Sequence, residues 1–187
     1  TLFILSILMA FTSLSVDIYL PQMPQMEIEL HGNVELTITG FLIGFAIAQL
    51  VMGPVSDRYG RRKPLLTGLI LFVVGSLGCA FAANLHEMML WRIVQAVGAC
   101  AGPLLSRAII RDIYDRTKAA EILSTLMTVM ALAPIIGPFI GGYLNWHQIF
   151  WLLAGIGILM LLLSIFVPET LTTDRRTLLS LSNTFAN

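Results

Sequence analysis

Six apolar stretches dominate this chain, each close to the ~20 residues that a helix needs to cross the hydrocarbon of a bilayer. They run at 1–20, 35–55, 64–83, 87–110, 119–142 and 149–167. The breaks between them are the residues that stop helices: Pro21 and Pro24, the polar run 57–63, Asn84, the polar run 111–118, then Gly141, Gly142 and Asn145, and finally Pro168 with Glu169. Only 12% of residues are charged, against roughly 25% in a soluble domain, so no charged shell is available and the bilayer must solvate most of the surface. The expected fold is an all-α membrane protein of six transmembrane helices over 1–167. The chain opens on Thr1 inside an apolar run without an initiator Met, as an internal fragment would, and that run is too long for the apolar core of a signal peptide.

Six spans alternate sides, which puts 56–63, 111–118 and 168–187 on one face and 21–34, 84–86 and 143–148 on the other. The first set carries Arg58, Arg61, Arg62, Lys63, Arg111, Arg116, Lys118, Arg175 and Arg176, nine of the eleven basic residues, and the second set carries none. By the positive-inside rule the first set is cytoplasmic, and so is the amino terminus. The short connections at 84–86 and 143–148 make their flanking helices antiparallel neighbours. Gly40 with Gly44, and Gly98 with Gly102, are spaced by four, as in helices whose backbones touch in lipid.

Net charge is zero, which gives no reason to expect nucleic acid or an acidic partner. Cys79 and Cys100 lie in apolar runs with no neighbouring Cys or His cluster, so they read as small packing residues, neither a disulfide framework nor a metal site. No serine–histidine constellation or phosphate-binding loop appears, and no enzymatic chemistry or bound cofactor is expected. The most specific segment is Gly53-Pro-Val-Ser-Asp57-Arg58-Tyr-Gly60-Arg61-Arg62-Lys63. Gly53 permits a close neighbour and Gly60 a tight turn with positive φ. Asp57 is able to accept from free N–H groups at a helix N-terminus or to pair with Arg61. A plain topology anchor needs basic residues but no aspartate.

That segment resembles the G-x-x-x-D-R-x-G-R-R signature after the second helix of the major facilitator superfamily of secondary transporters. Arg92-Ile-Val-Gln95-Ala96-Val-Gly98-Ala99 is similar to the superfamily's fourth-helix motif, with Ala96 in place of a Gly. Gly137-Pro138-Phe-Ile-Gly141-Gly142 resembles the G-P-x-x-G-G motif of antiporters, with Ala133 where its longer form has Gly. Asp17-Ile-Tyr-Leu-Pro21 followed by Pro24, Asp112-Ile-Tyr and Pro168-Glu-Thr are similar to segments of the bicyclomycin-resistance-like (Bcr/CflA) drug:proton antiporters. The resemblance implies a twelve-helix protein of the bacterial inner membrane, of which this is the amino-terminal six-helix half, with 168–187 opening the central cytoplasmic loop and a carboxy-terminal half as its partner. It implies export of drugs or small amphiphiles, driven by the proton gradient through alternating access, and a cytoplasmic latch in which Gly53, Asp57, Arg58, Gly60, Arg61 and Arg62 join Asp112. A nutrient symporter or facilitator on the same fold is the alternative, and a non-transporting membrane protein a more distant one.

An ionisable group inside hydrocarbon is expensive and by default functional. Asp17 lies ~5 Å from the outer end of the first span and Arg92 ~8 Å from that of the fourth, at matching depth. They would pair directly or through water if their helices are neighbours; otherwise Arg92 snorkels to the headgroups while Asp17 caps the Pro21 turn. A free carboxylate titrates near 3.9, burial raises such a group and a nearby guanidinium lowers it, so a mobile Arg92 would switch it. Gln95, one turn from Arg92, would orient it. Gln49 is a further cavity candidate or an interhelical hydrogen-bonding group. The Pro134, Gly137, Pro138, Gly141 and Gly142 series predicts a bent fifth span, acting as a hinge or seal or else as a kink that serves packing alone. Residues 174–187 read as an interfacial helix or a linker.

Overall fold

The computed structural model describes residues 2–171, and among these every regular element is helical. Six helical units are long and apolar enough to cross a membrane. The first is α1 (Leu2–Asp17), a 3₁₀ turn (Leu20–Gln22) and α2 (Met23–Leu30). The second is α3 (Glu35–Tyr59) and the third α4 (Arg62–Phe81). The fourth comprises α5 (Leu85–Ala99) and α6 (Ala101–Ile113), the fifth α7 (Arg116–Met130) and α8 (Ala133–Gly141), and the sixth is α9 (Trp146–Ser164). The segment 174–187 lies outside the described residues.

Several ends fall where the breaking residues stand. Asn84 caps α5 by accepting from the Glu87 N–H at 2.9 Å, while Glu87 accepts from the Ala83 N–H at 3.0 Å. Asn145 and Gln148 form a reciprocal capping box at the start of α9. Gly60 closes α3 with φ 90°, in the region that favours glycine. The prolines behave differently. Pro21 and Pro24 do not end helical structure: each occupies a first-turn position, of the 3₁₀ turn and of α2 respectively, where a missing N–H removes no hydrogen bond. The first span therefore continues to Leu30, and α3 likewise runs through Pro54 to Tyr59.

Pro103, near the start of α6, leaves the carbonyl four residues earlier without its helical donor. That carbonyl belongs to Ala99, and the buried Thr12 hydroxyl of α1 donates to it at 3.0 Å. A neighbouring helix thus satisfies the freed group, as a lipid environment requires.

The helices form one bundle. The α4 helix packs on α5 and α9, α3 on α5, and α1 on α6, α7 and α8. One apolar cluster centres on Phe11, Phe72, Trp146 and Phe150, and a second on Leu5, Leu8, Leu69 and Leu105. Gly98 and Gly102 serve different partners despite their spacing. A side chain at Gly98 would overlap the Phe72 backbone of α4, and one at Gly102 would approach the Leu8 carbonyl of α1 to 2.7 Å. Gly44 faces Ile93 and Ala96 of α5 at 3.3–3.4 Å.

The connections sort to two ends. At one, Arg61, Asp112 and Glu169 are in contact; at the other, Glu29 of α2 reaches Trp146 and Gln22 reaches Gly141. This is the alternation expected of six spans.

Candidate functional site

The end that carries the basic loops holds a bonded cluster built around Arg61. Its Nη1 donates to Asp57 Oδ1 at 2.6 Å and to Ser56 Oγ at 2.7 Å, and its Nε donates to Asp112 Oδ2 at 2.9 Å. The guanidinium therefore ties the end of α3 to the end of α6. Partial burial disfavours its charge, but the hydrogen bonds and charges of Asp112 and Asp57 more than offset this, so its pKa stands above the ordinary arginine value. Both ion pairs among the described residues belong to Arg61.

Glu169, brought beside the Arg61 cluster only by folding, accepts from the backbone N–H groups of Arg61 at 2.8 Å and Arg62 at 3.3 Å. It is the carboxylate that occupies the N-terminus of α4, one of the two roles open to Asp57 from the sequence; Asp57 takes the other and pairs with Arg61. A side chain at Gly60 would run into that carboxylate. Arg62 donates from Nη2 to the Ile165 carbonyl at 2.7 Å, fastening the end of α9. Arg58 stands apart from the cluster: it is exposed and lies over the ring of its own neighbour Tyr59. Gly53 lines a cavity of about 450 Å³ beside the cluster, together with Gln49, Arg107 and Arg111. Gln49 is thereby separated from the other cavity candidates, ~15 Å up α3 from the basic end.

Toward the opposite end, Arg92 is wholly buried. Its Nη1 donates to Gln95 Oε1 at 2.6 Å, Gln95 Nε2 donates to Ser76 Oγ at 2.8 Å, and the Ser76 hydroxyl donates to the Phe72 carbonyl at 2.8 Å. Three rings surround the guanidinium carbon, with centroids at 4.3 Å for Tyr19, 4.4 Å for Phe41 and 5.8 Å for Phe150. Cation–π attraction of this kind strengthens when the cation is desolvated. Arg92 is thus neither snorkelling to an outer surface nor ion-paired with Asp17. The first span meets Arg92 through the Tyr19 ring, two residues beyond Asp17, while Asp17 itself lines a separate cavity on the other side of Phe41.

Asp17 is the last residue of α1 and half-buried. It lines a cavity of about 270 Å³ with Thr12, Ser13, Phe41, Phe45, Met130 and Pro134. Phe41 joins the two intramembrane charges, since it walls this cavity while Arg92 lies over its ring. Gly137 and Gly141 of α8 abut the chain at Asp17 and Ile18, whereas Gly142 faces only its own helix. Pro138 sits inside α8. Sequence reasoning missed Ser76, the three rings and Glu169. Of these, Glu169 and Tyr19 had a signal, their places in Pro168-Glu-Thr and Asp17-Ile-Tyr-Leu-Pro21.

Comparison with known proteins agrees with this architecture. The family model described as Major Facilitator Superfamily matches residues 5–180. The chain is 39% identical over 93% of its length to an uncharacterized MFS-type transporter, YdgK, of Bacillus subtilis, covering 46% of that protein. It is 34% identical over 94% of its length to a bicyclomycin resistance protein homolog of Haemophilus influenzae, covering 46% of it. Identity to a chloramphenicol resistance protein of Pseudomonas aeruginosa is 36% over 85% of the chain and 40% of that protein. The chain therefore spans about half the length of the curated relatives it matches. Among solved structures, the human organic anion transporter MFSD10 (TETRAN) superimposes with a TM-score of 0.75 at 20% identity, covering 94% of this chain and 49% of that one. With all its described helices in one bundle, six of whose units can span a bilayer, and a family match running almost end to end, the chain is a multi-pass membrane protein of the major facilitator superfamily.

Proposed function

We propose that this chain is the amino-terminal half of a secondary transporter that exports drug-like small molecules from bacteria in exchange for protons. The observation that carries the reading is Asp17: a carboxylate without an ion-pair partner among the described residues, in an aromatic-walled cavity within the bundle. A carboxylate so placed is able to take up and release a proton as its surroundings change between water and protein. The names of the relatives, which refer to bicyclomycin and chloramphenicol resistance, support a drug-like cargo.

In this reading the bundle rocks against a second bundle around a shared cavity, in the bacterial inner membrane with the amino terminus in the cytoplasm. Asp17 exchanges the proton. Arg92, fixed by Gln95 and the rings, supplies a constant positive field behind Phe41, and the Arg61 cluster latches the cytoplasmic end. The proton gradient supplies the driving force, with no bound cofactor.

The test is transport by the full-length protein in proteoliposomes with an imposed pH gradient. Asp17→Asn keeps size and hydrogen bonding but removes the titratable group, and is expected to abolish uphill, proton-driven efflux. Wild-type coupling in that variant would place the proton site elsewhere.

A further inference from the structure

We propose that Gly137 and Gly141 are positioning residues for Asp17: lacking side chains, they let the backbone of α8 bear directly on the chain where α1 ends, and so fix where the carboxylate sits. This rests on the reading of Asp17 as the proton-exchanging group. It goes beyond that reading by joining the fifth-span glycines and the carboxylate into one device.

The α1 helix stops at Asp17 and the following 3₁₀ turn begins at Leu20, so Ile18 and Tyr19 form a junction, and both are wholly buried. A β-carbon added to Gly137 would lie 3.2 Å from Asp17 Cβ and from the Ile18 nitrogen, and 3.3 Å from the Asp17 carbonyl carbon. One added to Gly141 would collide with the Ile18 carbonyl oxygen and lie 2.9 Å from its carbon. Gln22 Nε2 then donates to the Gly141 carbonyl at 3.1 Å, so α8 is fastened on the far side of the junction as well. Gly142 differs. An added carbon there meets only the Pro138 and Phe139 carbonyl oxygens of its own helix, at 3.4 and 3.8 Å. The two adjacent glycines are thus unequal, and only one of them is held against the first span.

The α8 helix also supplies Pro134 to the cavity wall beside Asp17. It is separated from α7 by the turn at 131–132. Movement of α8 reaches the carboxylate by backbone contact, with no intermediary side chain. The cavity residues from α3, α7 and α8 that surround Asp17 carry no titratable group; the charge bordering them is Arg92, held against Phe41.

The experiment compares Gly137→Ala, Gly141→Ala, Gly142→Ala and Asp17→Asn in the full-length transporter in proteoliposomes. Two quantities are read: the pH profile of transport, and the rate at which a hydrophobic carbodiimide modifies Asp17, followed by mass spectrometry. Gly141→Ala is expected to move the midpoint of the profile by about half a pH unit or more and to change the modification rate several-fold. Gly137→Ala should act in the same direction but less, because its neighbours need yield only slightly, and Gly142→Ala should overlay the wild type. If Gly141→Ala does not accumulate, Gly137→Ala decides. Unchanged midpoint and rate per folded molecule in the Gly137 and Gly141 variants would overturn the proposal, as would an equal effect of Gly142→Ala. A wild-type pH profile in Asp17→Asn would instead defeat the proton-site reading, leaving the carbodiimide rates to judge the positioning on their own.

Discussion

Thr12 on the first span donates its hydroxyl to the carbonyl of Ala99 on the fourth, the very group that Pro103 leaves without a helical partner. The bond joins two spans at the point where one of them changes from α5 to α6. Without Thr12 a buried carbonyl would be left unpaired, at a cost of about 1–3 kcal/mol. Interhelical bonds in membranes run toward the low end of that range. Thr12→Val, which keeps the shape and removes the donor, should lower the thermal midpoint of the detergent-solubilised transporter, while Thr12→Ser should restore it. Equal midpoints for Val and Ser would show that the hydroxyl is dispensable.

Glu169 sits against the first N–H groups of α4, where a negative charge is worth roughly 0.3–1 kcal/mol and more when partly buried. Glu169→Gln should therefore destabilise mildly and Glu169→Ala more, since alanine cannot accept from either N–H. Gly60→Ala should be worse than both, because it adds a positive-φ strain to a collision with the Glu169 carboxylate. Thermal unfolding of the four proteins tests the order.

Arg61 bonds to two carboxylates through different nitrogens. Lysine has the charge but not the planar fork, so Arg61→Lys should lose one of the two links and lower turnover while leaving the apparent affinity for cargo near wild type. Asp57→Asn should behave likewise. Arg58→Gln, outside the cluster, should keep normal turnover. Initial rates against cargo concentration separate these outcomes, and a fall in affinity alone would contradict the latch.

Arg92→Lys should impair transport, because a single ammonium cannot keep both the Gln95 bond and the broad contact with three rings. Ser76→Ala should act in the same direction but more weakly, by depriving the Gln95 amide of its acceptor. Efflux assays on variants matched for expression give the comparison.

Exposed positions report orientation. Cysteines at Glu27 and Tyr143 should react with an impermeant thiol reagent added to intact cells, and one at Tyr59 only after the membrane is opened. Labelling of position 59 in intact cells would invert the arrangement.

Much of this architecture is legible along the chain. The length and apolarity of each span, the caps at Asn84 and Asn145, the positive-φ turn at Gly60 and the pairing of Asp57 with Arg61 depend on residues within a few positions of each other. Prolines 21 and 24 misled because the same residue ends a helix or sits harmlessly in one according to whether its missing N–H had a partner to lose.

What the sequence determined by itself is therefore the number of spans, their alternation between two ends and the register of the charged motif, all consequences of local chemistry and of apolar length. What only the tertiary structure decided is which faces meet. Arg92 turns to Gln95 and three rings and not to Asp17, Glu169 takes the N-terminus of α4 across 108 residues of chain, and Gly141 receives Gln22 across 119. In a bundle whose spans are apolar on most sides, hydrophobicity does not say which side is inward. Close packing around glycines and the satisfaction of buried polar groups make that choice, and both require the neighbouring helix to be in place.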